Sequence, residues 1–182
     1  MMCCCTLFFS CENDIKKVQD LGKRRTGVEE GKNIESIFSQ GGNLKADLKA
    51  PLMLRYLLDT PRVEFPNSLH VDFYDSVAHI ESQLFAKYGR YVENEGRVFL
   101  RDSVIVFNVK KDTLWCNELW WDQNRQVLYT DKPMKFFKNE PRQMIYGQGF
   151  TADQSFKWFT ILKPGKEPNK KESFINVPDS SY

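Results

Sequence analysis

An all-β domain is the fold class this sequence predicts, on three observations. Apolar and polar residues alternate with period two from Ile34 to Leu162. Clusters of turn-forming residues interrupt that alternation at intervals. Aromatic residues, which favour pleated and half-buried surfaces, make up 14% of the chain, and no segment between those limits sustains a helical period.

The elements come in order from these signals. Ile34–Ser39 turns through Gln40-Gly41-Gly42-Asn43 into Leu44–Ala50, a hairpin with a glycine turn. Leu69–Tyr74 alternates cleanly, turns at Asp75-Ser76 and returns through Val77–Ile80. Turns at Glu93-Asn94-Glu95-Gly96, Lys110-Lys111-Asp112, Asp122-Gln123-Asn124-Arg125 and Asn139-Glu140-Pro141 separate the next strands. Those strands are Arg97–Arg101, Val104–Val109, Thr113–Trp121, Gln126–Thr130 and Met134–Phe137. Gln143–Tyr146 and Ser155–Ile161 come last, and Gly147-Gln148-Gly149 between them reads as a bend or bulge. A faint repeat supports the pattern: Leu84-Phe85-Ala86 answers to Leu114-Trp115-Cys116, and Val98–Phe107 to Val127–Phe136. One such unit cannot bury its own face, so two facing antiparallel sheets or a twisted open barrel are expected.

At 182 residues the chain suits about one domain. Its 26 Lys and Arg against 24 Asp and Glu give a net charge of +2, which carries no footprint for nucleic acid. No Gly-rich phosphate loop, CxxC, HExxH or GxSxG motif is present, so neither an enzyme nor a cofactor is expected. With a two-residue turn at Asp75-Ser76, His70 would oppose Glu81 and Asp72 would oppose His79. Such a set could bind a metal or simply form solvated cross-strand pairs. The pairs are the expectation, because Leu69, Val71, Phe73, Ala78 and Ile80 then fill the opposite, core face. Cys116 in a strand reads as a small buried hydrophobe. Trp115, Trp120, Trp121 and Trp158 suit either core packing or the lining of a groove for an acyl chain.

The two ends differ from the middle. Met1–Ser10 is almost wholly apolar, too short to span a bilayer, and fits a secretory signal. Leu7-Phe8-Phe9-Ser10-Cys11 resembles a bacterial lipobox, in which the Cys11 thiol would take a diacylglycerol anchor. The expected organisation is a signal segment at 1–11, a linker at 12–30, a β domain at 31–162 and a flexible tail at 163–182.

Several stretches together resemble one family. They are Leu44-Lys-Ala-Asp-Leu-Lys-Ala-Pro-Leu-Met53, Phe85-Ala-Lys-Tyr-Gly-Arg-Tyr-Val-Glu93, Asp112-Thr-Leu-Trp-Cys-Asn-Glu-Leu-Trp-Trp-Asp122, Tyr129-Thr-Asp-Lys-Pro133 and Ile145-Tyr-Gly-Gln-Gly-Phe150. Their order resembles LptC proteins, periplasmic components of the lipopolysaccharide export transporter, in the form seen in Bacteroidota. The resemblance implies a twisted, open antiparallel β-jellyroll anchored at the inner membrane and facing the periplasm. It implies a non-enzymatic bridge that accepts lipopolysaccharide from the subunits of an inner-membrane ABC transporter and passes it to a periplasmic bridge protein of the OstA-like type. The best-known members keep a transmembrane helix where this chain offers a lipid on Cys11.

On that reading the alternation nominates Leu69, Val71, Phe73, Ile80, Leu84, Leu100, Ile105 and Phe107 for the lipid groove. Ile34–Ser39, with Ile34 and Phe38, becomes the edge toward the transporter. Phe156–Ile161, with Phe156 and Trp158, becomes the edge toward the next protein, and Gly147 allows a close backbone approach beside it. A lipoprotein of the outer membrane or cell surface, binding carbohydrate or a protein partner through its aromatic face, is the alternative the same features allow.

Overall fold

The structure is a computed structural model that describes residues 27–57, 61–92 and 94–165. The signal segment, Cys11, most of the expected linker and the tail beyond Gly165 lie outside the described residues.

Eleven antiparallel strands form one sheet: β1 (Val28–Gln40), β2 (Asn43–Tyr56), β3 (Arg62–Phe65), β4 (Leu69–Tyr74), β5 (Ile80–Ala86), β6 (Tyr88–Val92), β7 (Arg97–Asn108), β8 (Thr113–Asp122), β9 (Val127–Lys138), β10 (Gln143–Asp153) and β11 (Phe159–Gly165). The expected all-β jellyroll class is therefore the class observed. The first hairpin closes as expected, because Gly41 and Gly42 both take positive φ (58° and 78°), the pair of conformations a two-residue turn between twisted strands needs.

The strand order is β1-β2, then β4 and β3 end to end, then β5 and β6 end to end, then β7-β8-β9-β10-β11. β2 pairs β4 through Ala46–Lys49 and β3 through Leu54–Tyr56, while β7 pairs β6 through Arg97–Arg101 and β5 through Ile105–Asn108. The breaks line up. Ser68 donates its backbone N–H to Lys87 O (2.8 Å), and Lys87 donates to Asp102 O (3.0 Å), with Ser68, Asp102 and Ser103 all at positive φ. Register shifts continue the line between Arg101 and Val104, Cys116 and Trp120, and Gln148 and Phe150. Bulges bend strands and sharpen their twist, so a line of them folds so wide a sheet onto itself. The inner face thereby closes around Val71, Phe73, Leu84, Leu100, Leu114, Leu119, Leu128, Phe136 and Phe150, all fully buried.

Several expectations change in detail. Arg97–Arg101 with Val104–Val109, and Gln126–Thr130 with Met134–Phe137, are single strands crossing a bulge. The Val98–Phe107 repeat with Val127–Phe136 does not extend to the faces: Val98 is buried where Val127 is half-buried, and Phe107 is half-buried where Phe136 is buried. The Asp75-Ser76 turn is longer than two residues. Asp75 Oδ1 accepts the N–H groups of Val77 and His79 (2.9 Å each), and those two bonds hold its carboxyl below the usual carboxylate range. Ala78 adopts φ 62°. The register moves accordingly: His70 lies opposite Phe85 and Asp72 opposite Gln83, so the His70–Glu81 and Asp72–His79 pairs do not form.

One end of the sheet is tied by a buried polar node. Asp112, in the β7–β8 turn, accepts Lys138 Nζ (2.7 Å) and Asn108 Nδ2 (3.1 Å) on Oδ2, and the Asn139 N–H (2.9 Å) on Oδ1. Asn108 Nδ2 also donates to Ser155 O (2.8 Å), which links the β10–β11 loop to the same point. Cys116 is buried as expected, and desolvation pushes its thiol well above the usual range, so it is inert.

Candidate functional site

Strand alternation sorts the nominated groove residues onto two faces. Leu69, Val71 and Phe73 on β4, Leu84 on β5 and Leu100 on β7 all point inward and are buried. Ile105 and Phe107 lie between the buried Val104, Val106 and Asn108, so they occupy the outer face. Phe107 there stacks on Phe85 (6.0 Å between centroids), and Phe85 stacks on His70 (4.3 Å). Ile80 sits at the rim, 41% exposed, where β5 begins beside a register shift.

Residues that alternation did not nominate complete the interior. Trp121 on β8 reaches across the inner face to Phe73 on β4 (5.0 Å, edge to face) and Phe38 on β1 (6.3 Å, edge to face). Gln126 Nε2 donates to Gln40 Oε1 (2.7 Å), so the β8–β9 turn and the β1–β2 turn meet beside that aromatic clasp. Away from the clasp, Phe136 packs against Phe150 (5.2 Å), Phe156 (5.3 Å) and Phe159 (4.7 Å). Trp121 is one of the four tryptophans the sequence suggests for core or groove. The doublet Trp120-Trp121 requires one of the pair to face inward, since consecutive strand residues face opposite ways, and the structure gives that place to Trp121.

The outer face is different in kind. Its rings carry cations: Arg62 over Tyr56 (4.0 Å), Arg101 over Tyr88 (4.3 Å), Lys135 over Trp115 (5.1 Å) and Arg97 over Trp120 (5.7 Å). Among the described residues no three His, Cys, Asp or Glu side chains converge as a metal site would require.

Both sheet edges are open among the described residues. β1 pairs with β2, and β11 with β10, leaving their far sides unpaired. Ile34 and Phe38 are half-buried and pack on the core, while Ile37 is 66% exposed. The rest of β1 is charged: Glu35 pairs with Lys49 (3.3 Å) and Glu30 with Lys32 (3.5 Å). Lys49 also holds Asp47 (2.8 Å), and these two carboxylates push its ammonium above the usual range. Charge of this kind keeps an unpaired edge from aggregating.

β11 starts at Phe159, not at Phe156. Phe156 takes φ 59° and turns its ring into the core, and Trp158 is exposed in the loop, its backbone N–H donating to Asp153 Oδ1 (3.0 Å). Gly147 lies opposite Pro164 of β11, and a Cβ on it would stand 2.8 Å from Ile161 Cγ2 and 2.8 Å from the Lys163 carbonyl. Gly147→Val is therefore expected to detach β11 while leaving the core folded. Overpacking of this kind costs about 1–3 kcal/mol. The check is amide hydrogen exchange: Thr160–Lys163 lose protection and β7–β8 keep theirs.

The fold, its buried apolar face and its two open edges are the setting for the comparison with known proteins. The family model for lipopolysaccharide-assembly, LptC-related proteins matches residues 30–164. This chain belongs to the LptC family. No curated protein matches it. As an LptC-family protein it is a component of lipopolysaccharide transport in the cell envelope, in a family of transport components and not of enzymes. The family works on the periplasmic side of the envelope, together with other components of the same transport system. Among the described residues no helix is long and apolar enough to cross a membrane.

Proposed function

We propose that this LptC-family protein is a bridge: it receives lipopolysaccharide from an inner-membrane ABC transporter and hands it to an OstA-like periplasmic protein, the acyl chains travelling along the inner face of the sheet. The observation that carries the reading is a buried apolar face running between two edge strands, β1 and β11, each unpaired on its far side among the described residues. Acyl chains need no specific hydrogen bond to favour such a face, since each methylene taken from water contributes about 0.8 kcal/mol. A graded, non-directional attraction suits a lipid that must move on. Leu69, Val71, Phe73, Leu84 and Leu100 form the route, and the Phe38–Trp121–Phe73 clasp must part to admit a chain.

The edges supply the connections, because an unpaired strand can extend its sheet into that of a partner. β1, with Ile34 and Phe38, faces the transporter, and β11, beside Gly147 and after Phe156 and Trp158, faces the next bridge. Cys11 supplies the anchor to the inner membrane. Photo-cross-linking probes at Ile37 on β1 and at Leu162, 65% exposed on β11, test this in cells. The expected result is capture of a transporter subunit from Ile37 and of a different, periplasmic protein from Leu162. Capture of neither partner with the protein in the outer membrane would contradict it and favour the surface-lipoprotein alternative.

A further inference from the structure

Four buried side-chain atoms lack a hydrogen-bond partner among the described residues: Asp47 Oδ1, Arg90 Nε, Gln154 Nε2 and Trp121 Nε1. Asp47 lies on the outer side of β2, with its other oxygen on Lys49. Arg90 lies on the outer face with its guanidinium over Phe99 (5.6 Å). Gln154 belongs to the closing loop, where its backbone carbonyl accepts Ser82 Oγ. Trp121 alone of the four stands among interior rings, 1% exposed, at the clasp between the β1 edge and the inner face.

An indole N–H left unpaired in an apolar interior is costly, and it becomes favourable once an acceptor reaches it. The acceptor must be carried into a place otherwise suited to hydrocarbon. Carbonyls of acyl esters and amides meet that description, being polar groups attached directly to long apolar chains. We infer that Trp121 Nε1 is a donor to the ester or amide carbonyl of a lipopolysaccharide acyl chain, marking a subsite at the β1 end of the interior. This rests on the bridge reading above and gives it a polar fixed point. The chain's methylenes lie along Phe73, Leu84 and Leu100, and the carbonyl stops at Trp121.

The test uses the full chain with two fluorescent diacyl probes, one ester-linked and one its ether-linked isostere, and compares the native protein with Trp121→Phe. Phenylalanine keeps an aromatic ring between Phe38 and Phe73 and removes the N–H. The native protein is expected to bind the ester probe about 3- to 10-fold more tightly than the ether probe, the range one neutral hydrogen bond supplies. Trp121→Phe is expected to bind both alike, at the native ether affinity. A purely structural Trp121 would shift both affinities together and keep their ratio, which overturns the inference while leaving the bridge reading intact. Binding of neither probe by the native protein overturns the lipid-binding interior and the subsite with it. Displacement of the ester probe by lipopolysaccharide at lower concentration than by phospholipid vesicles supports the assignment to lipopolysaccharide, and displacement by phospholipid alone overturns it.

Discussion

Trp121→Ala is expected to lower stability by about 3–5 kcal/mol, the range for removing a buried tryptophan from a core that relaxes only in part. The side chain is fully enclosed and joins β8 to β4 and β1 through Phe73 and Phe38. Nothing along the strand ladders makes that connection, because β8 pairs with β7 and β9. Its loss therefore removes packing between parts of the sheet that backbone hydrogen bonds do not hold together. Urea denaturation followed by circular dichroism reads the effect. Trp120→Ala is the control: Trp120 is half-buried on the outer face beneath Arg97 and beside Phe99, and its removal is expected to cost about 1 kcal/mol. A reversed ranking would mean that the faces of β8 beyond its bulge are exchanged.

Asp112→Ala is expected to cost about 3 kcal/mol, the lower end of the range for removing one partner of a buried ion pair. Lys138 keeps part of its side chain in solvent and recovers some hydration, whereas the Asn139 N–H and one Asn108 contact lose their acceptor. The same carboxylate makes stability depend on pH. Burial raises its pKa, but the Lys138 ion pair and the Asn139 and Asn108 hydrogen bonds outweigh burial and leave it below the ordinary value of 3.8. A lowered folded pKa means that the stabilisation is fully present above the unfolded value and is lost as pH falls through the folded one. The denaturation midpoints of the native protein and Asp112→Asn are thus expected to keep their full difference above about pH 4 and to begin to draw together only as the pH falls below it.

How much of this was legible depends on how polar residues punctuate the strands. Leu69–Tyr74 reads cleanly because His70, Asp72 and Tyr74 mark one face and Leu69, Val71 and Phe73 the other, and the strand stands where the pattern puts it. Val104-Ile105-Val106-Phe107 offers no polar marker, so nominating Ile105 and Phe107 beside Leu100 mixed two faces. The bulges hid in a related way. Asp102-Ser103 and Asp131-Lys132 look like turns, yet the chain continues through both in the same direction. Arg62–Phe65 and Tyr88–Val92 escaped notice because they are short and their arginines ride on aromatic rings instead of marking loops. The two edge strands came from the family resemblance and not from the pattern itself, which leaves strand order open; among the described residues β1 and β11 stand at the ends of the sheet. That Phe156 turns inward was not legible, since a left-handed residue before a strand leaves no periodic trace.

The central claim is that lipopolysaccharide meets the inner face and not the outer one. The most direct measurement places a photo-cross-linking residue at Phe73 and, separately, at Phe107, in cells with an active transporter. Both positions are aromatic, and they lie on strands that face opposite ways. The expected result is a lipopolysaccharide adduct from Phe73, recovered with the inner membrane, and none from Phe107. An adduct from Phe107 with none from Phe73 would move the lipid to the outer aromatic face and contradict the account.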